Sequence, residues 1–125
     1  MPLTRIDIRA GKSREFKAAL FAEIYEAMRE TFDVPEDDRF MVITEHDGDT
    51  FSFGRNYLGI ERSDVVLIQI TANNTRTIEK KKALYARLAE RLAGRPGVRP
   101  QDVFVSILEV PKENWSFGDG VAQYA

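Results

Sequence analysis

The chain has 125 residues, 43% of them hydrophobic, which is the usual size of one domain and enough apolar material to bury a core without disulfides or metals. Charged residues make up 30%, yet the two signs are interspersed and the net charge is only −2, so no basic stripe is present to hold a nucleic-acid backbone. With no cysteine and one histidine, a disulfide framework, a thiolate metal site and a histidine cluster are excluded, and no stretch approaches a membrane span.

From Met1 to Arg14 polar and apolar residues alternate without the apolar run of a signal peptide, so a cytoplasmic location is expected. Leu3, Ile6 and Ile8, set among Thr4, Arg5 and Asp7, predict a half-buried strand that Gly11 ends. Ser13 is the expected N-cap of a long helix whose apolar face carries Phe16, Ala19, Leu20, Ile24, Ala27 and Met28. Pro35 breaks that helix, and the run Phe40-Met41-Val42-Ile43 predicts a second strand ending near His46, with a turn at Asp47-Gly48. Phe51 to Ile60, with Gly54 and Gly59, reads as an irregular hairpin or loop. The β-branched run Val65 to Ala72 predicts a buried strand, and Thr77 is the expected N-cap of a second helix reaching about Ala93. Gly94, Pro96, Gly97 and Pro100 close it; a strand over Val103 to Val110 follows, and the paired glycines Gly118 and Gly120 predict a terminal hairpin between Trp115 and Tyr124.

A shift of about 64 positions superposes the two halves: Ile6 falls on Ile70, Ser13 on Thr77, Leu20 on Leu84, Val34 on Val98, Asp38 on Asp102 and Glu45 on Glu109. Two copies of a βαβ unit, about residues 2–46 and 64–110, account for this within one domain spanning 1–125. The expected fold is α+β, a four-stranded mixed sheet with both right-handed crossover helices on one face. The other face is left uncovered, so oligomerisation is expected.

A strand beginning at Pro2 and a duplicated βαβ unit resemble the tautomerase superfamily, and the longer motifs are similar to its malonate semialdehyde decarboxylase subgroup. Those motifs are Met1-Pro2-Leu3, Val34-Pro35-Glu36-Asp37-Asp38-Arg39, Leu58-Gly59-Ile60-Glu61-Arg62, Thr75-Arg76-Thr77 and Trp115-Ser116-Phe117-Gly118. The resemblance implies a tautomerase-like fold, a homotrimer, no cofactor and no metal. It implies catalytic roles for Pro2, Asp38 and Arg76, and places Trp115 and Phe117 near the active-site wall. The decarboxylase pattern has a second arginine where this chain has Asn74. An amide donates hydrogen bonds without charge, which halves the cationic clamp on a carboxylate.

Chemistry gives each residue two readings. Once Met1 is removed, Pro2 presents a secondary amine that titrates near pH ~8 and is tunable by burial or nearby charge, so it serves as base when neutral and acid when protonated. Arg76 sits just before an N-cap, at the positive end of a helix dipole, which suggests an anion to bind; the alternative is a solvated arginine paired with Glu79 or an acidic loop. Asp38 either caps or pairs locally, for example with Arg39, or by the resemblance holds a water or raises the proton affinity of Pro2. Asn74 either hydrogen-bonds substrate or shapes its loop, while Trp115 and Phe117 pack and wall the site together. His46 is expected to be an exposed strand-end residue, and the hydroxyls of Tyr57 and Tyr124 are not assigned to the site.

The expected partner is a small carboxylate, an oxo acid or its enol, with keto–enol tautomerisation through Pro2 as the leading reaction. The alternatives are decarboxylation of malonate semialdehyde, hydration or dehalogenation of an unsaturated acid, and, from another class, a non-catalytic oligomeric binding module.

Overall fold

The protein's structure, a computed structural model, describes residues 2–125; the expected removal of Met1 concerns a residue outside those described. Six main elements follow in order: β1 (Leu3–Arg9), α1 (Arg14–Phe32), β2 (Phe40–His46), β3 (Val66–Asn73), α2 (Ile78–Gly94) and β4 (Val103–Val110). The helices begin where their caps dictate. Ser13 Oγ accepts the Phe16 amide at 3.0 Å and Thr77 Oγ1 accepts the Lys80 amide at 3.2 Å, each satisfying one of the otherwise orphaned first-turn N–H groups.

The strand order is β2-β1-β3-β4. β1 runs parallel to β2 and β3 parallel to β4, each pair joined through its helix, while the central β1 and β3 are antiparallel. That arrangement relates the two βαβ units by an approximate two-fold axis between β1 and β3, the geometric counterpart of the sequence repeat. Alternation along β1 and β3 turns Ile6, Ile8, Ile68 and Ile70 toward the helices. There they meet Leu20, Ile24 and Met28 of α1 and Leu84, Leu88 and Leu92 of α2. Each such fully buried side chain contributes about 1.5–3 kcal/mol. An ion network ties the helices together on their outer side: Glu30 accepts from Arg87 at 2.5 Å and from Arg91, and Arg91 also pairs with Glu23 at 2.7 Å. The opposite sheet face leaves Phe40, Val42, Phe104 and Leu108 exposed.

Three details depart from expectation or sharpen it. The terminal hairpin does not form: after a 3₁₀ turn at Lys112–Asn114 the tail makes tight turns at Gly118 (φ 139°) and Gly120 (φ 70°). Gln123 closes them, accepting from the Phe117 amide and donating to the Gly118 carbonyl, both at 3.0 Å. His46 is not a solvated strand end, because its Nε2 lies 2.6 Å from Asp7 Oδ1 and its ring meets Phe51 edge-on at 5.4 Å. Residues 51–60 are irregular as read, with a 3₁₀ turn at Tyr57–Gly59. No helix among the described residues is long and apolar enough to cross a membrane.

Topology gathers the site residues at one end of the sheet. Leu3 pairs with both Phe40 and Thr71, and Asn73 pairs with Val110, so the starts of β1 and β2 meet the ends of β3 and β4 there.

Candidate active site

Two cavities open at that end. The first, about 430 Å³, is lined by Asp38, Asn73, Thr75, Arg76, Lys80, Lys112 and Tyr124, among others. The second, about 240 Å³, is lined by Pro2, Leu3, Phe40, Trp115, Ser116 and Phe117. Asp38 and Arg76 therefore share one cavity, while Pro2, Trp115 and Phe117 share the other.

Aromatic side chains join the two linings. Trp115 stacks on Phe117 with ring centroids 5.5 Å apart, and Phe117 meets the edge of Tyr124 at 5.0 Å. Trp115 also donates its indole N–H to Asn73 Oδ1 at 2.8 Å, so a residue of the second cavity is anchored on one of the first.

Asp38 is a buried acid. Pro35 and the left-handed Asp37 (φ 65°) make the turn that delivers it, closed by the Asp38 amide donating to the Pro35 carbonyl at 3.2 Å. The Tyr25 hydroxyl accepts the Asp37 amide at 3.0 Å and pins that turn to α1. Asp38 is left 7% exposed, and among the described residues neither of its carboxyl oxygens has a hydrogen-bond partner. Neither capping nor a pairing with Arg39 is present. Burial pushes the carboxyl above the ordinary aspartate range, against the pull of nearby positive charge that includes Arg76.

The repeat supplies an internal comparison. Asp102, the counterpart of Asp38, is buried as well but accepts from the Ser63 amide at 2.8 Å and the Ser63 hydroxyl at 3.4 Å. Lys12 occupies the place of Arg76 and is paired with Asp64 at 2.5 Å. At that end of the sheet Asp102 and Lys12 are both paired within the protein, with Asp64 Oδ1 the one buried oxygen left over; at the Pro2 end neither Asp38 oxygen has a partner among the described residues. An unsatisfied buried polar group costs about 1–3 kcal/mol, so stability gives no reason for Asp38.

Arg76 does have a structural partner. It donates from Nη2 to the Phe32 carbonyl at 2.8 Å, and its guanidinium lies 5.0 Å from the Phe32 ring centroid. Phe32 ends α1, so the cation sits at the negative end of that helix dipole. Among the described residues no carboxylate forms an ion pair with Arg76, Glu79 included, and one contact leaves most of its five donors for the cavity it lines. Lys80, which pairs with Asp33 at 2.6 Å, and Lys112 add positive charge around the same opening.

Asn74 lies elsewhere than the resemblance implies. It is exposed, lines neither cavity, and uses its backbone amide to donate to the Val110 carbonyl at 3.1 Å. The neighbouring Asn73 takes the place inside, and Tyr124 joins it because the tail folds back over Phe117. Sequence reasoning assigned neither residue to the site. β3 runs to Asn73, one residue past the strand expected from the sequence, so Asn73 is held in the sheet and Asn74 is not.

The arrangement offers an amino-terminal strand beside an aromatic wall, an acid driven toward its neutral form by burial, and a cation-rimmed cavity suited to a small anion. Two family profiles described as "Tautomerase enzyme" match the chain, one over residues 38–118 and the other over residues 2–60. The chain is 40% identical over 124 residues to the probable tautomerase YusQ of Bacillus subtilis (strain 168), covering 98% of both chains. Its fold superposes on FG41 malonate semialdehyde decarboxylase inhibited by 3-bromopropiolate with a TM-score of 0.91 at 39% identity, covering 98% of this chain and 93% of that one. A second malonate semialdehyde decarboxylase, solved in wild-type, mutant and inactivated forms, gives a TM-score of 0.92 at 30% identity, over 98% of this chain and 95% of that one. The chain belongs to the tautomerase family, on the side of it that resembles the malonate semialdehyde decarboxylases.

Proposed function

We propose that the protein is a cofactor-independent tautomerase acting on small oxo acids or their enols, with Pro2, after loss of Met1, as the catalytic acid and base. The observation that carries this reading is the buried, unpartnered Asp38 in the Arg76 cavity, at the end of the sheet where β1 begins next to Pro2. Arg76 binds the substrate carboxylate. Neutral Pro2 takes the proton from the enol hydroxyl; the oxygen lone pair closes to a carbonyl, and the former double bond takes the proton back at carbon. Trp115 and Phe117 keep water from the Pro2 cavity, which strengthens charge interactions inside it.

Asp38 bears on the choice between proton transfer and decarboxylation because its charge tunes the proton affinity of Pro2. An ionised carboxylate near the amine would hold Pro2 protonated, which is the form needed to polarise a 3-oxo acid and release carbon dioxide. Burial raises the proton affinity of Asp38 relative to a solvated aspartate, and a neutral Asp38 would leave Pro2 easier to deprotonate. Decarboxylation of malonate semialdehyde is the second reading, supported by the likeness to two such enzymes, of which one has hydratase activity as well. The exposed apolar sheet face of Phe40, Val42, Phe104 and Leu108 supports a homotrimer, and a cytoplasmic location completes the proposal. The test is the ratio of kcat/KM for phenylpyruvate enol to that for malonate semialdehyde, together with the pH–rate profile. A preference for the enol that rises with pH as the amine loses its proton supports the tautomerase; a preference for malonate semialdehyde with activity lost on deprotonation sinks it.

A further inference from the structure

Asn73 ends β3 with only 7% of its surface exposed, and it lines the cavity that holds Asp38 and Arg76. Its Oδ1 accepts the Trp115 indole N–H at 2.8 Å. An indole nitrogen can only donate, so the amide must turn its oxygen toward Trp115 and its NH2 the other way. That NH2 donates to no described residue, and it is not among the side-chain atoms sealed from solvent without a partner. Two N–H donors of fixed direction are therefore left at a residue whose remaining exposure belongs to a cavity lining.

The repeat shows that this pairing is not a requirement of the fold. At the other end of the sheet the same positions are Arg9 and Phe51, and a phenyl ring cannot donate a hydrogen bond. Arg9 there lies over the Phe53 ring at 5.7 Å. The amide–indole pair thus occurs only at the end that carries the unpartnered Asp38 carboxyl.

We infer that Asn73, oriented by Trp115, is a substrate-binding residue that donates its side-chain N–H to an oxygen of the oxo acid whose carboxylate Arg76 holds. The inference rests on the oxo-acid reading above and adds to it a neutral donor for the keto or enol oxygen. Trp115 acts through Asn73 as a positioning residue.

Calorimetric titration with pyruvate tests it without depending on turnover. Asn73→Asp keeps the shape and an acceptor for the indole but removes both donors. We expect the Kd of pyruvate to rise about tenfold or more, with the emission maximum of Trp115, the only tryptophan, unchanged. Trp115→Phe should weaken binding in the same direction, and Asn73→Ala combined with it should bind no more weakly than Asn73→Ala alone. Wild-type affinity in Asn73→Asp, or losses that simply add in the double variant, would overturn the inference. Pyruvate binding by Pro2→Ala separates the two levels: if that variant binds but does not turn over, the parent reading stands whatever Asn73 does. A wild-type protein that binds no pyruvate overturns both.

Discussion

Replacing Asp38 with asparagine should stabilise the protein toward neutral pH and change the pH dependence of its activity. Asp38 is 7% exposed with neither carboxyl oxygen partnered among the described residues, so keeping it ionised inside the native state costs about 1–3 kcal/mol. Its native proton affinity is raised by burial. Below the ordinary value of 3.8 the carboxyl is protonated in both the folded and the unfolded chain and carries no such penalty. As pH rises from there the folded state keeps the proton that the unfolded state has lost, so stability falls with pH until the folded value is passed. The amide of the Asp38→Asn variant has no proton to lose. The two melting temperatures should coincide near pH 4 and diverge toward neutral pH, where about 1–3 kcal/mol corresponds to roughly 4–12 °C in favour of the variant. Thermal melts by circular dichroism between pH 4 and 8, at fixed protein concentration, read this directly. In the same variant the pH–rate profile should shift, because the residue that tunes the proton affinity of Pro2 no longer titrates. A Tm difference that does not change with pH, or a variant less stable at neutral pH, would show that the carboxylate has a partner and would refute the reasoning.

Arg76→Ala removes a charge-assisted contact to the substrate carboxylate and should raise KM for oxo acids by about tenfold or more, with a small loss of Tm from the contact to the Phe32 carbonyl; unchanged kinetics would remove Arg76 from the site. Glu30 is held at about 2 by hydrogen bonds from Arg87 and then Arg91, so its contribution to stability is complete above the ordinary 4.5 and is lost as pH falls through about 2. Glu30→Gln should therefore flatten the acid limb of the stability curve between those values and leave activity at neutral pH as it is; an unchanged acid limb would mean that this exposed network is screened away.

Much of the fold is legible because its signals are local. Ser13 and Thr77 cap the helices they were expected to cap, and β-branched alternation marks the strands. The repeat carries the topology as well, since two similar βαβ units must share a core. The tail misleads because Gly118 and Gly120 do mark turns, but a turn makes a hairpin only when its flanks can pair. Here Gln123 closes it with side-chain bonds instead.

The site is legible in its residue types and less so in its geometry. The sequence sets Asp38 and Asp102 in matching positions, and nothing local says which one is satisfied. That is decided by Ser63, 39 residues from Asp102 in the chain. Asn73 and Asn74 are adjacent and chemically identical, and the choice between them falls to Trp115, 42 residues beyond Asn73. Tyr124 reaches the cavity only through the stacking of the tail on Phe117, a contact with no sequence period.

If the amine of Pro2 does the chemistry, the intact mass of the purified protein and the activity of Pro2→Ala on phenylpyruvate enol will show it together. The mass should lack Met1, and turnover should disappear in a variant which still folds and still binds pyruvate. A retained Met1 in an active protein, or activity indifferent to Pro2, would contradict it.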